Sequence, residues 1–184
     1  MPAAAQNYSD GFRFLQAVEK MDQGKVQDLI NKNGTIVDSR DLGDGHTALH
    51  TVVNRRDSAW LRYLLTEGAN PNIADKNGVT PLMLATQTGF VDGVAMLAAK
   101  GARVDTDDST GETPLILAVH KHDIPMVRML LAAGADPNKS DNSGRTARDY
   151  ARLDGAGSLA LEEIEKHDKD KTANKPAQVY GPTF

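Results

Sequence analysis

The chain has 184 residues, but it contains no cysteine, a single tryptophan and only 5% aromatic residues. The absence of cysteine excludes disulfide bonds, a thiol nucleophile and thiolate metal ligands, and it leaves the redox compartment open. No apolar run approaches the ~18 residues that a membrane-spanning helix needs, so we expect no contact with the membrane interior. The net charge is −4 with basic and acidic residues intermixed, which argues against nucleic acid or an anionic membrane surface as the partner.

The motifs of common enzymes are also missing. None of the patterns G-x-S-x-G, H-E-x-x-H, G-x-G-x-x-G or the phosphate loop occurs. The acidic run at residues 105–111 resembles the start of a calcium loop, but Thr110 stands where that loop requires Gly and Ile116 where it requires Glu. His120 and His122 have no third metal ligand near them in sequence. We therefore expect no enzyme activity, no cofactor and no metal site.

A repeat with a fixed period organises what is present. The segment Gly78-Val79-Thr80-Pro81-Leu82 is followed thirty-three residues later by Gly111-Glu112-Thr113-Pro114-Leu115, and related segments begin at Gly45 and Gly144. A second landmark keeps the same spacing: Gly68-Ala69, Gly101-Ala102 and Gly134-Ala135. Because two landmarks agree on one length, each repeat is predicted to be one structural unit.

Each unit is predicted to be a pair of short helices. Thr80 and Thr113 can cap backbone N–H groups, and the proline that follows each of them suits the first helical position. The second helix of each unit carries an apolar stripe, which would place Trp60 and Met126 in the core. Gly at the end of that helix can adopt the left-handed conformation that terminates it. A helix pair this short cannot bury its own apolar face, so the units are expected to stack into an elongated solenoid.

The repeat length and the Thr-Pro-Leu core resemble the ankyrin repeat. The resemblance implies an all-α solenoid of stacked helix-turn-helix units with projecting β-hairpin loops. The expected organisation is a flexible arm over residues 1–9, a degenerate capping repeat over 10–40, full repeats over 41–72, 73–105 and 106–138, a capping repeat over 139–166 and a polar, disordered tail over 167–184.

The first full repeat also carries the family's T-x-L-H tetrapeptide, with His50 as its last residue. In the family this imidazole ties adjacent units together. Since Met83, Ile116 and Asp149 occupy the corresponding positions, the tie is expected once only, and apolar packing is expected to hold the other interfaces. The resemblance is imperfect in this repeat, because Leu42 stands where later repeats have an aspartate.

The resemblance further implies that a partner binds to the concave face, which the loop tips and the exposed parts of the first helices form. Carried over position by position, the candidate residues are Asp44, His46, Asn54, Arg55, Lys76, Asn77, Val79, Gln87, Thr88, Ser109, Thr110, Glu112, His120, Lys121 and Arg145. The helix row leans basic and the loop tips lean acidic. We therefore expect a monomer that binds a protein partner of mixed surface charge.

Two other functions fit the sequence less well. One is an accessory, chaperone-like factor with a single obligate client, and the other is a small metal-dependent enzyme, which the missing motifs disfavour. The compartment stays open between two possibilities. Ala3-Ala4-Ala5 has the small-residue character of a signal-peptidase site, which would fit an exported protein, but an ordinary flexible start of a cytoplasmic protein has the same appearance.

Overall fold

The computed structural model of the chain describes residues 9–155 and 157–173. These ranges contain ten α-helices and one 3-10 helix at Gly34–Asp38. The helices are α1 (Asp10–Glu19), α2 (Gln23–Lys32), α3 (Ala48–Asn54), α4 (Ser58–Thr66), α5 (Pro81–Gln87), α6 (Val91–Ala99), α7 (Pro114–His120), α8 (Ile124–Ala132), α9 (Ala147–Leu153) and α10 (Leu159–Ala173). None of the helices in these ranges is long and apolar enough to cross a membrane.

The helices form two layers. Each odd-numbered helix packs against the even-numbered helix that follows it. The odd-numbered helices also pack against one another in chain order, and we call them the inner layer. In the outer layer α4 packs against α6, α6 against α8, and α8 against α10. This arrangement is the predicted all-α solenoid of stacked helix pairs. In place of β-hairpins, the described loops contain only two isolated antiparallel bridges, Arg40 with Thr47 and Ser140 with Thr146.

The predicted helix starts and ends are confirmed. The hydroxyl of Thr80 accepts a hydrogen bond from the N–H of Met83, and that of Thr113 accepts one from the N–H of Ile116, both at 3.2 Å. A proline occupies the first turn after each threonine. The outer helices α4, α6 and α8 are followed by glycines with positive φ: Gly68 (92°), Gly101 (83°) and Gly134 (96°).

One core runs through all the units. Leu49, Leu82 and Leu115 occupy the same position in three successive repeats, and each is buried. Met126 of the outer layer is fully buried, whereas Trp60 at the matching position is half-buried and packs against the core. The indole lies edge-on to Tyr63, with ring centroids 5.5 Å apart. The prediction that Trp60 is a core residue therefore holds only in part.

The first loop contains an aspartate that forms the bonds of the later loops, although Leu42 is the residue aligned with the later aspartates. The backbone N–H of Asp41 donates to the carbonyl of His46 at 2.8 Å, and the Asp41 carboxylate accepts from the N–H of Gly43 at 2.6 Å. Asp41 therefore takes the part that an aspartate takes in the later loops. The first loop is one residue longer than the others, and Leu42 projects from its tip with 92% of its surface exposed.

The last helix extends beyond the expected boundary. We predicted a disordered tail from residue 167, but α10 continues to Ala173. Ile164 anchors the helix in the core, and Arg148 of α9 forms an ion pair with Asp168, with Nη2 and Oδ2 separated by 2.6 Å. The contact holds the polar end of the helix against the preceding one. The arm at residues 1–8 and the remainder of the predicted tail, 174–184, lie outside the described residues.

Candidate partner-binding face

The first three loop tips form a continuous edge because each loop is closed by its own hydrogen bonds and main-chain bonds join the first loop to the second and the second to the third. The N–H of Asp75 donates to the carbonyl of Val79 at 2.9 Å, and the Asp75 carboxylate accepts from the N–H of Asn77 at 2.8 Å. Between loops, the N–H of Lys76 donates to the carbonyl of Asp44 at 2.9 Å, and the N–H of Ser109 donates to that of Asn77 at 3.1 Å. The main chain thereby sets the spacing of successive tips.

The predicted helix residues lie at the C-terminal ends of the inner helices, and one of them, His120, reaches Glu112 of its own loop, with Nδ1 2.7 Å from Oε1. Asn54, Gln87 and His120 are the last residues of α3, α5 and α7, and Arg55, Thr88 and Lys121 are the residues that follow them. We call the surface made of the loop tips and these helix ends the inner face. It corresponds to the concave face that the resemblance implies.

All fifteen predicted binding residues reach the surface. Ten are exposed: Asp44, Asn54, Arg55, Lys76, Asn77, Ser109, Thr110, His120, Lys121 and Arg145. Five are half-buried: His46, Val79, Gln87, Thr88 and Glu112.

Three of the predicted basic residues clamp neighbouring units together. Lys76 Nζ donates to the carbonyl oxygens of Leu42 at 2.6 Å and Gly43 at 2.8 Å. Arg55 Nη1 donates to the carbonyl of Glu19 at 2.7 Å. Lys121 Nζ donates to the carbonyl of Gln87. The contacts of Arg55 and Lys121 correct the expectation that interfaces other than that of His50 rely on apolar packing alone. Alanine substitutions at these positions would affect stability, so they would not test binding alone.

His50 makes the tie that the resemblance implies. Its Nδ1 accepts from the N–H of Thr47 at 3.1 Å, and its Nε2 lies 3.0 Å from the carbonyl oxygen of Val79 in the next unit. Since a carbonyl can only accept, the proton is on Nε2 and the imidazole is neutral. Burial lowers the pKa of His50 because the charged form would lose its hydration.

The later units carry a connected group of polar and aromatic side chains. His120 Nδ1 lies 2.7 Å from Glu112 Oε1, and its ring meets that of Tyr150 edge-on at 4.3 Å between centroids. The Tyr150 hydroxyl donates to Asp141 Oδ2 at 2.6 Å, and this bond, followed by one from a neighbouring serine hydroxyl, holds the pKa of Asp141 well below its usual range. The Arg145 guanidinium lies 5.9 Å from the centre of the same ring. The group is an ordered, water-facing surface at this end of the inner face.

The structure contains a groove at the first unit that the sequence did not predict. Its lining comes from one stripe of α1, from the first loop and from α3. The lining residues are Phe12, Leu15, Gln16, Glu19, Asp41, Asp44, His46 and Thr51. Only Asp44 and His46 were among the predicted residues. The four α1 residues have the spacing of one helix face, so this stripe could have been found, but its position beside the first loop depends on how the units stack.

The histidines do not assemble a metal site in the part of the chain that the structure describes. His120 is bonded to Glu112, and His122 Nδ1 lies 3.4 Å from Asp154 Oδ2. No group of three or more His, Asp or Glu side chains within the described ranges could hold a metal ion.

Comparison with known proteins agrees with the architecture. A family model described as ankyrin repeats (3 copies) matches residues 3–108, and a second, described as ankyrin repeats (many copies), matches residues 97–151.

Similar stretches occur in proteins of several kinds. A Fowlpox virus protein named as an ankyrin repeat protein is 34% identical over 73 residues, which cover 40% of this chain and 21% of that protein. A potassium channel of Oryza sativa subsp. japonica is 37% identical over 76 residues, 41% of this chain and 8% of the channel. The 2-5A-dependent ribonuclease of Homo sapiens is 34% identical over 82 residues, 45% of this chain and 11% of the ribonuclease. The matches thus span about a fifth or less of the length of these curated relatives.

Proposed function

The chain belongs to the ankyrin-repeat family, whose members generally serve as protein–protein interaction modules, and on this premise we propose that it is a non-catalytic module that binds a protein partner through its inner face. The observation that carries the proposal is the bonded edge of loop tips. Because the main chain sets the positions of the side chains on this edge before any partner arrives, little conformational entropy is lost on binding.

Three side chains of the inner face are available to a partner. Asn54, Asn77 and Ser109 are exposed, and within the described residues no hydrogen bond or ion pair engages their side-chain atoms. They lie on three successive units. A partner that spans the inner face would therefore contact all three without breaking a bond of the solenoid.

The proposal is tested with the variant Asn54→Ala/Asn77→Ala/Ser109→Ala. The matched control is Arg62→Ala/Asp92→Ala/Lys100→Ala, whose positions are exposed, are similarly unbonded, and belong to the outer helices or their ends. Proteins captured from the native cell extract by the wild type are identified by quantitative mass spectrometry, and thermal melting confirms that both variants fold. We expect partners to be lost from the inner-face variant and kept by the control. Equal capture by all three proteins would overturn the proposal.

The same experiment separates a general interaction module from an accessory factor. Capture of one protein at a fixed stoichiometry would identify a single obligate client. Several partners competing for the inner face would identify a module of broader use.

A further inference from the structure

The groove at the first unit has a volume of about 280 Å³ and lies between α1 and the first loop. Phe12 and Leu15 contribute apolar surface to it, with Phe12 39% exposed. Leu42 projects from the tip of the adjacent loop and is almost fully exposed. Exposed apolar side chains that lie near one another commonly form an interaction site. Another apolar side chain can pack against them.

The permanently charged side chains of the lining are all acidic. Glu19, Asp41 and Asp44 contribute carboxylates, and no lysine or arginine is among the lining residues. Two cations donate to main-chain carbonyls of α1 and of the first loop, Arg55 to that of Glu19 and Lys76 to those of Leu42 and Gly43. Within the described residues, neither cation forms an ion pair with Glu19, Asp41 or Asp44.

Two of the carboxylates are fixed in direction. Asp41 Oδ1 accepts from the N–H of Gly43 at 2.6 Å, and Asp44 Oδ1 accepts from the N–H of His46 at 2.8 Å. Each aspartate thus keeps a second oxygen for other contacts, although Asp44 Oδ2 also lies 3.1 Å from His46 Nδ1. Among the described residues, no side chain pairs with the carboxylate of Glu19. Oxygen atoms arranged in this way suit a guanidinium or ammonium group.

An adjoining stripe of α1, which shares Gln16 with the groove at the first unit, has a different character. The groove there is lined by Arg13, Lys20, Lys25 and Lys32 together with Asp22 and Asp28. The two adjoining grooves therefore favour ligands of opposite charge, and a basic segment would be directed to the groove at the first unit.

We propose that the groove at the first unit binds a segment of the protein partner in which a large apolar side chain stands next to a lysine or an arginine. The inference rests on the proposed function and names the chemistry of the partner at one end of the inner face. The apolar side chain packs on Phe12 and Leu15, and the cationic group is bonded by Glu19, Asp41 and Asp44.

The test is selection of a random short-peptide phage library on three proteins. The first is the wild type and the second is Glu19→Gln/Asp41→Asn/Asp44→Asn, in which the amides keep an acceptor oxygen for the loop N–H groups but lose the charge. The third is the control Asp28→Asn/Glu162→Gln/Glu165→Gln, which changes the net charge equally at exposed sites outside the groove. We expect the wild type and the control to enrich peptides with an apolar residue beside Lys or Arg. The groove variant should not enrich them.

The most enriched peptide is then measured by fluorescence anisotropy. Because charge-assisted hydrogen bonds are lost, we expect its affinity for the groove variant to fall about tenfold or more, and Phe12→Ala to weaken it as well. Enrichment without the apolar-basic pattern, or an equal affinity for the groove variant and the wild type, would overturn the proposal.

The two proposals fail in distinguishable ways. If native partners are lost from Asn54→Ala/Asn77→Ala/Ser109→Ala but the groove variant keeps both partners and peptide, the groove assignment fails and the inner face stands. If the groove selects the expected peptides while the inner-face variant keeps all its partners, the groove stands and binding along the later units fails.

Discussion

The imidazole of His50 bonds to the carbonyl oxygen of Val79 across the boundary between two repeats, at 3.0 Å from Nε2. On the other side of the ring, Nδ1 receives the N–H of Thr47 at the start of its own helix. A single buried side chain thus completes a helix cap and joins two units. Both bonds require the neutral ring with its proton on Nε2.

We expect the stability of the protein to fall as the pH drops below about 6.5, the ordinary pKa of histidine. Burial lowers the pKa of His50 in the folded state, so below that pH the unfolded chain takes up a proton that the folded chain does not. For this residue the free energy of unfolding would decrease by at most about 1.4 kcal/mol per pH unit.

Urea unfolding followed by circular dichroism between about pH 7.5 and about pH 5.5 measures this dependence. His50→Gln should be less stable at neutral pH but should depend less on pH than the wild type. His122→Gln, at an exposed position, is the control. An unchanged pH dependence in His50→Gln would contradict the assignment.

Gly78 and Gly144 form a matched pair for testing how closely the loops pack. Both have positive φ, 82° and 80°, so alanine at either should cost about 1–2 kcal/mol of stability. A Cβ on Gly78 would also lie 3.2 Å from the backbone nitrogen of Ser109, whereas one on Gly144 would meet nothing within 4 Å. Gly78→Ala should therefore reduce the free energy of unfolding more than Gly144→Ala does. Equal losses in chemical denaturation would show that the loops tolerate displacement.

Gly93 lies inside α6, where replacement by alanine would ordinarily stabilise a helix by about 1 kcal/mol. Here a Cβ would lie 2.3 Å from Cδ1 of Phe90, whose side chain is buried. We expect Gly93→Ala to lower the melting temperature. Gly24→Ala in α2 is the control, because its Cβ would meet only the Asp22 carboxylate at an ordinary 3.7 Å, and it should raise stability slightly. A stabilised Gly93→Ala protein would mean that the Phe90 ring moves easily.

An ion pair joins the end of α10 to α9, with Arg148 Nη2 2.6 Å from Asp168 Oδ2. The arginine side chain is only 15% exposed. Arg148→Met should speed amide hydrogen exchange over residues 167–173 and change the free energy of global unfolding little, because such local segments open independently. Arg152→Met removes a longer, exposed pair with Asp149, 3.6 Å apart, and should leave that exchange unchanged. Similar exchange rates in both variants would indicate that intrinsic helix propensity, and not the ion pair with Arg148, keeps the end of α10 helical.

The helix starts could be predicted because their causes are local. Thr113 caps the N–H of a residue three positions along the chain, and Pro114 needs only its own ring to suit the first turn. The repeat pattern aligns Leu42, and not Asp41, with the later aspartates because one inserted residue shifts the alignment without changing the bonds that close the turn. The end of α10 was misjudged because the stabilising partner of Asp168 lies twenty residues earlier in the chain.

The candidate face likewise has some features that the sequence predicted and others that it did not. Its residues could be placed at the surface from the repeat pattern, but the pattern gave no sign that Lys76, Arg55 and Lys121 clamp carbonyl groups of the preceding unit. The groove beside Glu19 was missed because α1, the first loop and α3 meet only when the units stack.

The amino-acid sequence by itself determined that this protein is a row of stacked helix pairs, because caps, turn glycines and apolar stripes act over a few residues and repeat every thirty-three. Only the tertiary structure decided which charged side chains hold the units together and which remain exposed on the inner face. The physical reason is that a long basic side chain can donate to any carbonyl or carboxylate in reach, and the packing of neighbouring units determines which acceptor that is.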